Sequence, residues 1–355
     1  MIKEIGSIFP LSDAMLRDAE MRHESFTDDR VYYSLCREAL YDIAMSLAGT
    51  TKKVLIPSYT CQTVITPFEE AGWQCAYYAV QRDLRIETNR LLRQIEEIQP
   101  SVLVVHPYYG MDLNETEQQT LDIIAQKGVK IVLDLTQCLF STKSYSFASF
   151  IVASYRKWMP IPDGGYLIDQ LKANHIHQPQ NENSEFTNKE KDAMYLRGVY
   201  FETRVQRIKD ISIRLSKAAD HIVEDHIAPH RMSQVAYNLM QAVDLEANQQ
   251  KRIENYAFLH KQVVDSSRVK KVCQDINEIT TVPLYFPIYV KERQTIQRLL
   301  AENSIYAPVL WSVEDERVLV NEDVKYIYDH ILVIPCDQRY DIKDMQRVVD
   351  VLNKN

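Results

Sequence analysis

At 355 residues, 46% hydrophobic and 25% charged, the chain is long enough to bury a large core and to carry a smaller lobe, so two domains are expected. A formal net charge of −8 and the lack of any run of five like charges exclude a nucleic-acid partner, because neutralising phosphates needs a concentrated basic face. Met1-Ile2-Lys3-Glu4-Ile5-Gly6 holds no apolar core of signal-peptide length, and no stretch approaches about 18 uninterrupted apolar residues. The expectation is a cytoplasmic protein with no membrane partner.

In chain order, Val31-Tyr32-Tyr33 is extended and leads into an amphipathic helix over residues 37–47. Strand-like runs follow at 54–56, 75–80, 101–106, 130–135, 149–155 and 165–168, and the 3.6 periodicity of covering helices fills 63–71, 89–98 and 115–126. That alternation predicts an α/β class with a mostly parallel central sheet and flanking helices. Residues 189–223 read as a long charged helix with one interruption, and 231–264 as another. Beyond them, 281–290 is a strand, 291–303 a helix, 331–334 a strand and 342–352 the last helix. The predicted division is therefore a large α/β domain over 1–245, long helices included, and a small C-terminal α+β domain over 246–355.

Two residues stand out chemically. Lys157 lies in Ser154-Tyr155-Arg156-Lys157-Trp158, past a strand-like run and seven and eight residues before Gly164 and Gly165. A lone lysine is ordinarily a solvated surface residue. Here Phe150-Ile151-Val152-Ala153 precedes it and Trp158-Met159-Pro160-Ile161-Pro162 follows, a setting that predicts a desolvated ammonium, with Arg156 adding a like charge. Asp134 ends the run Lys130-Ile131-Val132-Leu133, which reads as a buried parallel strand, and open α/β sheets bind ligands at such carboxyl ends. Helix capping is the competing role for that aspartate. An amine that condenses with an aldehyde, together with a buried carboxylate that holds a protonated ring nitrogen, is the chemistry of pyridoxal phosphate.

Only eight glycines occur, with no G-x-G-x-x-G and no P-loop pattern, so neither a dinucleotide fold nor a Walker-type site is supported. The start of the 37–47 helix, Ser34-Leu35-Cys36-Arg37-Glu38, offers another anion seat through its backbone N–H groups, unless it is an ordinary helix start capped by Ser34. The six cysteines form no C-x-x-C pair, and reduced thiols are expected. His226 and His230 share a face if their segment is helical, but no further ligand accompanies them, so no metal is expected.

Taken in order, Ser154-x-x-Lys157, Asp134-x-x-Gln137, Gly164-Gly165, the helix start at Cys36 and Arg37, and Pro57-Ser58-Tyr59-Thr60-Cys61 resemble the DegT/DnrJ/EryC1/StrS family of fold-type I pyridoxal-phosphate-dependent sugar aminotransferases. The resemblance is carried by residues 33–165. It implies pyridoxal 5'-phosphate as cofactor, a homodimer, and transfer of an amino group from glutamate or glutamine to a keto group of a nucleotide-linked sugar. Lys157 would bind the cofactor aldehyde and shuttle the proton, Asp134 would pair with the ring nitrogen, and Gln137 would bond the side of the ring hydroxyl. Ser154, Cys36 and Arg37 would hold the phosphate. His106-Pro107-Tyr108-Tyr109-Gly110 matches a strand end that lines the site in the family.

The chain departs from the pattern at Cys61, where the family places an aromatic ring over the cofactor, which leaves Tyr59 and Tyr108 as stacking candidates. It departs again at Val152, where the family's serine stands five residues before the lysine. A lyase or decarboxylase on the same fold, and a non-catalytic protein that binds the cofactor or a metabolite, remain alternatives.

Overall fold

The computed structural model describes residues 3–26, 28–47, 51–172, 176–224 and 226–354. They fall into two compact units, one built from residues 1–7, 49–149 and 245–355, the other from 8–48 and 150–244. The second unit begins with α1 (Asp13–Met21), β1 (Val31–Tyr33) and α2 (Cys36–Ser46). Ser12 caps α1 by accepting the Met15 N–H at 3.3 Å. No expectation from the sequence covered α1, whose one buried residue is Ala19.

Residues 49–149 alternate as β2 (Lys53–Pro57), α3 (Gln62–Glu70), β3 (Gln74–Tyr78), α4 (Thr88–Ile98), β4 (Val102–Val105), α5 (Glu115–Gln126) and β5 (Lys130–Asp134). The strands run in the order β5-β4-β2-β3, all parallel, with Val54 opposite Val102 and Leu103 opposite Ile131. Val102-Leu103-Val104-Val105 is buried at every position, as expected of a parallel strand covered on both faces. Leu91 and Ile95, one helical turn apart, are the buried residues of α4. A capping box starts α5: Asn114 Oδ1 accepts the Glu117 N–H and Glu117 Oε2 accepts the Asn114 N–H, both at 2.9 Å.

The second unit resumes with β6 (Phe150–Ser154), β7 (Gly165–Asp169), α6 (Ser184–Thr203), α7 (Gln206–Ile222) and α8 (Gln234–Gln241). Its strands run β1-β7-β6 and are antiparallel, with Gly165 paired to Tyr33 on one side and to Ser154 on the other. The predicted interruption of the long helix falls at Arg204, whose φ of 59° ends α6 in the left-handed region. His226 and His230 share no helical face, because residues 226–230 are irregular.

The C-terminal part of the first unit holds α9 (Leu245–Gln262), β8 (Val269–Lys271), β9 (Phe286–Val290), α10 (Arg293–Glu302), α11 (Glu322–His330), β10 (Ile331–Ile334) and α12 (Ile342–Asn353). Its sheet is antiparallel in the order β10-β9-β8, and its core joins Tyr256, Leu259, Phe286, Ile288, Leu332 and Val348. The single helix predicted over 231–264 is two helices, α8 and α9. The strand predicted from 281 begins at Phe286, because the N–H groups of Thr280 and Thr281 turn to the Gly110 carbonyl at 3.1 and 3.2 Å. No helix among the described residues is long and apolar enough to cross a membrane.

Candidate functional site

In the first unit, parallel pairing points β2, β4 and β5 the same way, so the residues just past them gather along one edge of the sheet. These are Ser58-Tyr59-Thr60, His106 to Tyr109, and Thr136-Gln137 after Asp134. The Asp134 side chain is buried, and its Oδ1 accepts the Thr136 N–H at 2.8 Å, which fixes the carboxylate in a tight turn. Gln137 Oε1 accepts the Tyr109 N–H at 3.0 Å. Committing the oxygen in this way leaves the amide NH2 as the donor end of a buried side chain. His106 Nε2 lies 3.1 Å from Thr60 Oγ1.

An aromatic layer fills the rest of that edge. Tyr59 is fully enclosed: its ring stacks on Tyr108 at 5.5 Å and meets Tyr328 edge-on at 5.2 Å, and its hydroxyl lies 3.0 Å from that of Tyr109. Burial pushes the phenols of Tyr59, Tyr108 and Tyr109 well above the ordinary tyrosine range, so all three stay neutral. Of the two stacking candidates, Tyr108 is 3% exposed and Tyr59 not at all. The half-buried ring in the layer is Trp311, 4.6 Å from Tyr59 and 5.8 Å from His106. Sequence reasoning missed it because it comes from a loop some 200 residues downstream, with no local pattern to mark it.

In the second unit, the start of α2, the end of β6 and the glycine pair come together. The Gly164 N–H donates to the Ser34 carbonyl at 2.7 Å and the Tyr155 N–H to the Gly164 carbonyl at 2.9 Å. A Cβ on Gly165 would stand 2.7 Å from the Cys36 nitrogen, so only glycine lets the strand and the helix start approach this closely. Ser154, Cys36 and Gly165 are thus neighbours, as a phosphate seat at this helix start requires. Arg37 sends its Nη1 to the Val223 carbonyl at 2.9 Å. Ser34, missed as a site residue, has a fully buried hydroxyl without a hydrogen-bond partner.

Lys157 sits in the turn after β6. Its neighbours Trp158 and Met159 are each 2% exposed, yet Lys157 itself is exposed. The desolvation expected from its apolar flanks is therefore absent, because the turn buries the flanking side chains and directs the lysine outward.

The fold is that of the sugar aminotransferases. The chain is similar to the sugar aminotransferase CalS13 from Micromonospora echinospora, at 15% identity and a TM-score of 0.65 over 100% of both chains. It is also similar to PseC of Helicobacter pylori, an aminotransferase involved in the biosynthesis of pseudoaminic acid, at 13% identity and a TM-score of 0.66 over 99% of both chains. A third likeness is to a DegT DnrJ EryC1 StrS aminotransferase from Brucella abortus, at 13% identity and a TM-score of 0.61 over 92% of this chain and 85% of that one. No protein-family model matches the sequence, and no curated protein matches it.

Each unit, taken by itself, offers donors of one kind. A buried carboxylate and a buried amide donor meet the needs of a pyridine ring with a hydroxyl. The helix start packed on Gly165, with an unpartnered buried hydroxyl beside it, meets those of a phosphate. Among the described residues no group of three or more His, Cys, Asp or Glu is placed to hold a metal ion.

Proposed function

We propose that the protein is a pyridoxal-phosphate-dependent aminotransferase that moves an amino group from glutamate or glutamine to a keto group of a nucleotide-linked sugar. The observation that carries this reading is the pairing, at the carboxyl ends of β4 and β5, of a buried Asp134 with a Gln137 whose amide is oriented by the Tyr109 N–H. The sugar acceptor is supported by the shared fold and by the resemblance at residues 33–165.

When bound, pyridoxal phosphate supplies an electron sink through which an amino group can leave one carbon and join another. Asp134 holds the proton on the ring nitrogen and keeps the ring charged, aided by the fixed turn at Thr136. Gln137 donates its amide N–H toward the ring hydroxyl. Ser154 and the first turn of α2 at Cys36 and Arg37 bind the phosphate oxygens, where the helix dipole favours an anion. Tyr59, enclosed by Tyr108, Trp311 and Tyr328, would act on the ring only through the layer it anchors. Lys157 would hold the aldehyde end of the cofactor and would take up and release a proton at its amine, which is exposed. In this reading residues 1–245 and 246–355 are the large and small domains and the protein is a homodimer; sedimentation showing only a 41.4 kDa species at micromolar concentration would remove the dimer.

The central test is chemical. Protein incubated with pyridoxal phosphate gains a near-visible absorption band, borohydride fixes the cofactor to the peptide that contains Lys157, and Lys157→Ala abolishes both fixation and amino transfer. Glutamate or glutamine converts the bound cofactor to its amine form. An adduct on Lys52, Lys53, Lys127 or Lys130 refutes the site. No adduct at all favours a non-catalytic protein, and an adduct that no amino donor converts favours a lyase.

A further inference from the structure

A buried carboxylate lies beside the helix start described above. Glu38, in the first turn of α2, is 3% exposed. Its Oε2 accepts the Leu35 N–H at 3.3 Å and the His230 N–H at 3.1 Å, and its Oε1 lies 3.5 Å from His230 Nδ1. The Ser34 N–H in turn donates to the His230 carbonyl at 2.8 Å, and the Ser34 carbonyl accepts the Gly164 N–H. Three segments far apart in sequence, 34–38, 163–165 and 230, are thereby tied into one knot. Burying a carboxylate is costly unless it is well bonded, and burial indeed pushes the Glu38 carboxyl above the usual carboxylate range.

These bonds fix the placement of the helix start. The backbone N–H and C=O of Ser34 are both committed, and so is the Leu35 N–H, while the Ser34 hydroxyl remains buried without a partner. A hydroxyl left in that state beside a helix N-terminus is a donor held for a ligand that carries acceptor oxygens.

We propose that Glu38 is a positioning residue, whose carboxylate clamps the Ser34-Leu35 turn to His230 so that the Ser34 hydroxyl and the first turn of α2 present preformed donors to the cofactor's phosphate. The inference rests on the pyridoxal-phosphate reading above. It assigns to Glu38 a selective effect on the phosphate, distinct from any effect on the aldehyde.

The test compares dissociation constants for pyridoxal phosphate and for pyridoxal, which lacks the phosphate, read from the near-visible band. Glu38→Ala should weaken pyridoxal phosphate by about tenfold relative to pyridoxal, the scale of one lost charge-assisted hydrogen bond. Glu38→Gln keeps an acceptor of the same shape and should stay within about threefold of the parent. Ser34→Ala should lower the preference for the phosphorylated ligand without lowering the melting temperature, and it reports on the seat even if Glu38→Ala does not fold. Inorganic phosphate should raise the melting temperature of the parent and of Glu38→Gln more than that of Glu38→Ala or Ser34→Ala. An unchanged preference in both alanine variants, equal weakening of the two ligands, or a glutamine variant as poor as the alanine one overturns the proposal. A parent protein that takes up neither ligand instead overturns the cofactor reading, and Glu38's role falls with it.

Discussion

Gln137 Oε1 and the Tyr109 backbone N–H meet at 3.0 Å and join the end of β5 to the end of β4. Tyr109 needs that bond: its φ of 53° lies in the left-handed region, which a bulky residue keeps only when its surroundings hold it there. Gln137→Ala should strand the buried N–H and cost about 1–3 kcal/mol, seen as a lower urea midpoint at unchanged m value. Gln137→Glu retains the acceptor but loses the NH2 donor, so it should keep stability while weakening cofactor binding. Equal stability of all three proteins would remove the bond from the argument.

Asp134→Asn separates structure from chemistry in the same turn. The new amide oxygen can still accept the Thr136 N–H, so folding and cofactor uptake should persist. The ring nitrogen would lose its charged partner, and conversion of the cofactor by glutamate should fall on the order of a hundredfold or more. Near-normal conversion would take Asp134 out of the site.

The parts of this architecture that the sequence made legible are those with local causes. Ile131-Val132-Leu133 is uninterrupted and apolar, so β5 and the aspartate at its end could be placed from pattern alone. The Asn114–Glu117 capping box likewise lies at the start of a helix predicted from residue 115. What escaped depends on residues distant in sequence. Arg37 spends its guanidinium on a carbonyl 186 positions away, and His230 meets Glu38 where a helical face shared with His226 was expected. The outward course of Lys157 is set by the turn after β6, which composition does not encode.

Asp163 stands just before the glycine pair. It is fully buried, accepts the Thr187 hydroxyl at 2.5 Å and the Ser233 N–H at 3.0 Å, and burial pushes its carboxyl up from 3.8 to about 6. The folded state therefore holds this proton more tightly than the unfolded chain does. Its contribution to stability is present below pH 3.8 and is lost as pH rises to about 6, staying flat above that. The rise from 3.8 to about 6 corresponds to a swing on the order of 3 kcal/mol. Asp163→Asn keeps both hydrogen-bonding positions without the charge. Relative to the parent it should gain stability between pH 4 and 6, measured by denaturant midpoints; a difference independent of pH would refute this account.

Gly165→Ala tests the close packing of strand on helix start. The added methyl would lie 2.7 Å from the Cys36 nitrogen, 3.0 Å from its Cα and 3.1 Å from the Leu35 carbonyl carbon, all backbone atoms that no rotamer change can move aside. Overpacking of this kind costs about 1–3 kcal/mol, and relief requires the start of α2 to shift. Gly128→Ala is a fitting control, since its Cβ would meet nothing within 4 Å and only the positive φ of 88° opposes it. Both variants should melt at lower temperature than the parent. Only Gly165→Ala should also lose preference for pyridoxal phosphate over pyridoxal, because only there does the lost stability come with a displaced anion seat. A Gly165→Ala protein with parental stability and parental preference would mean that the contact between Gly165 and Cys36 does not constrain the site.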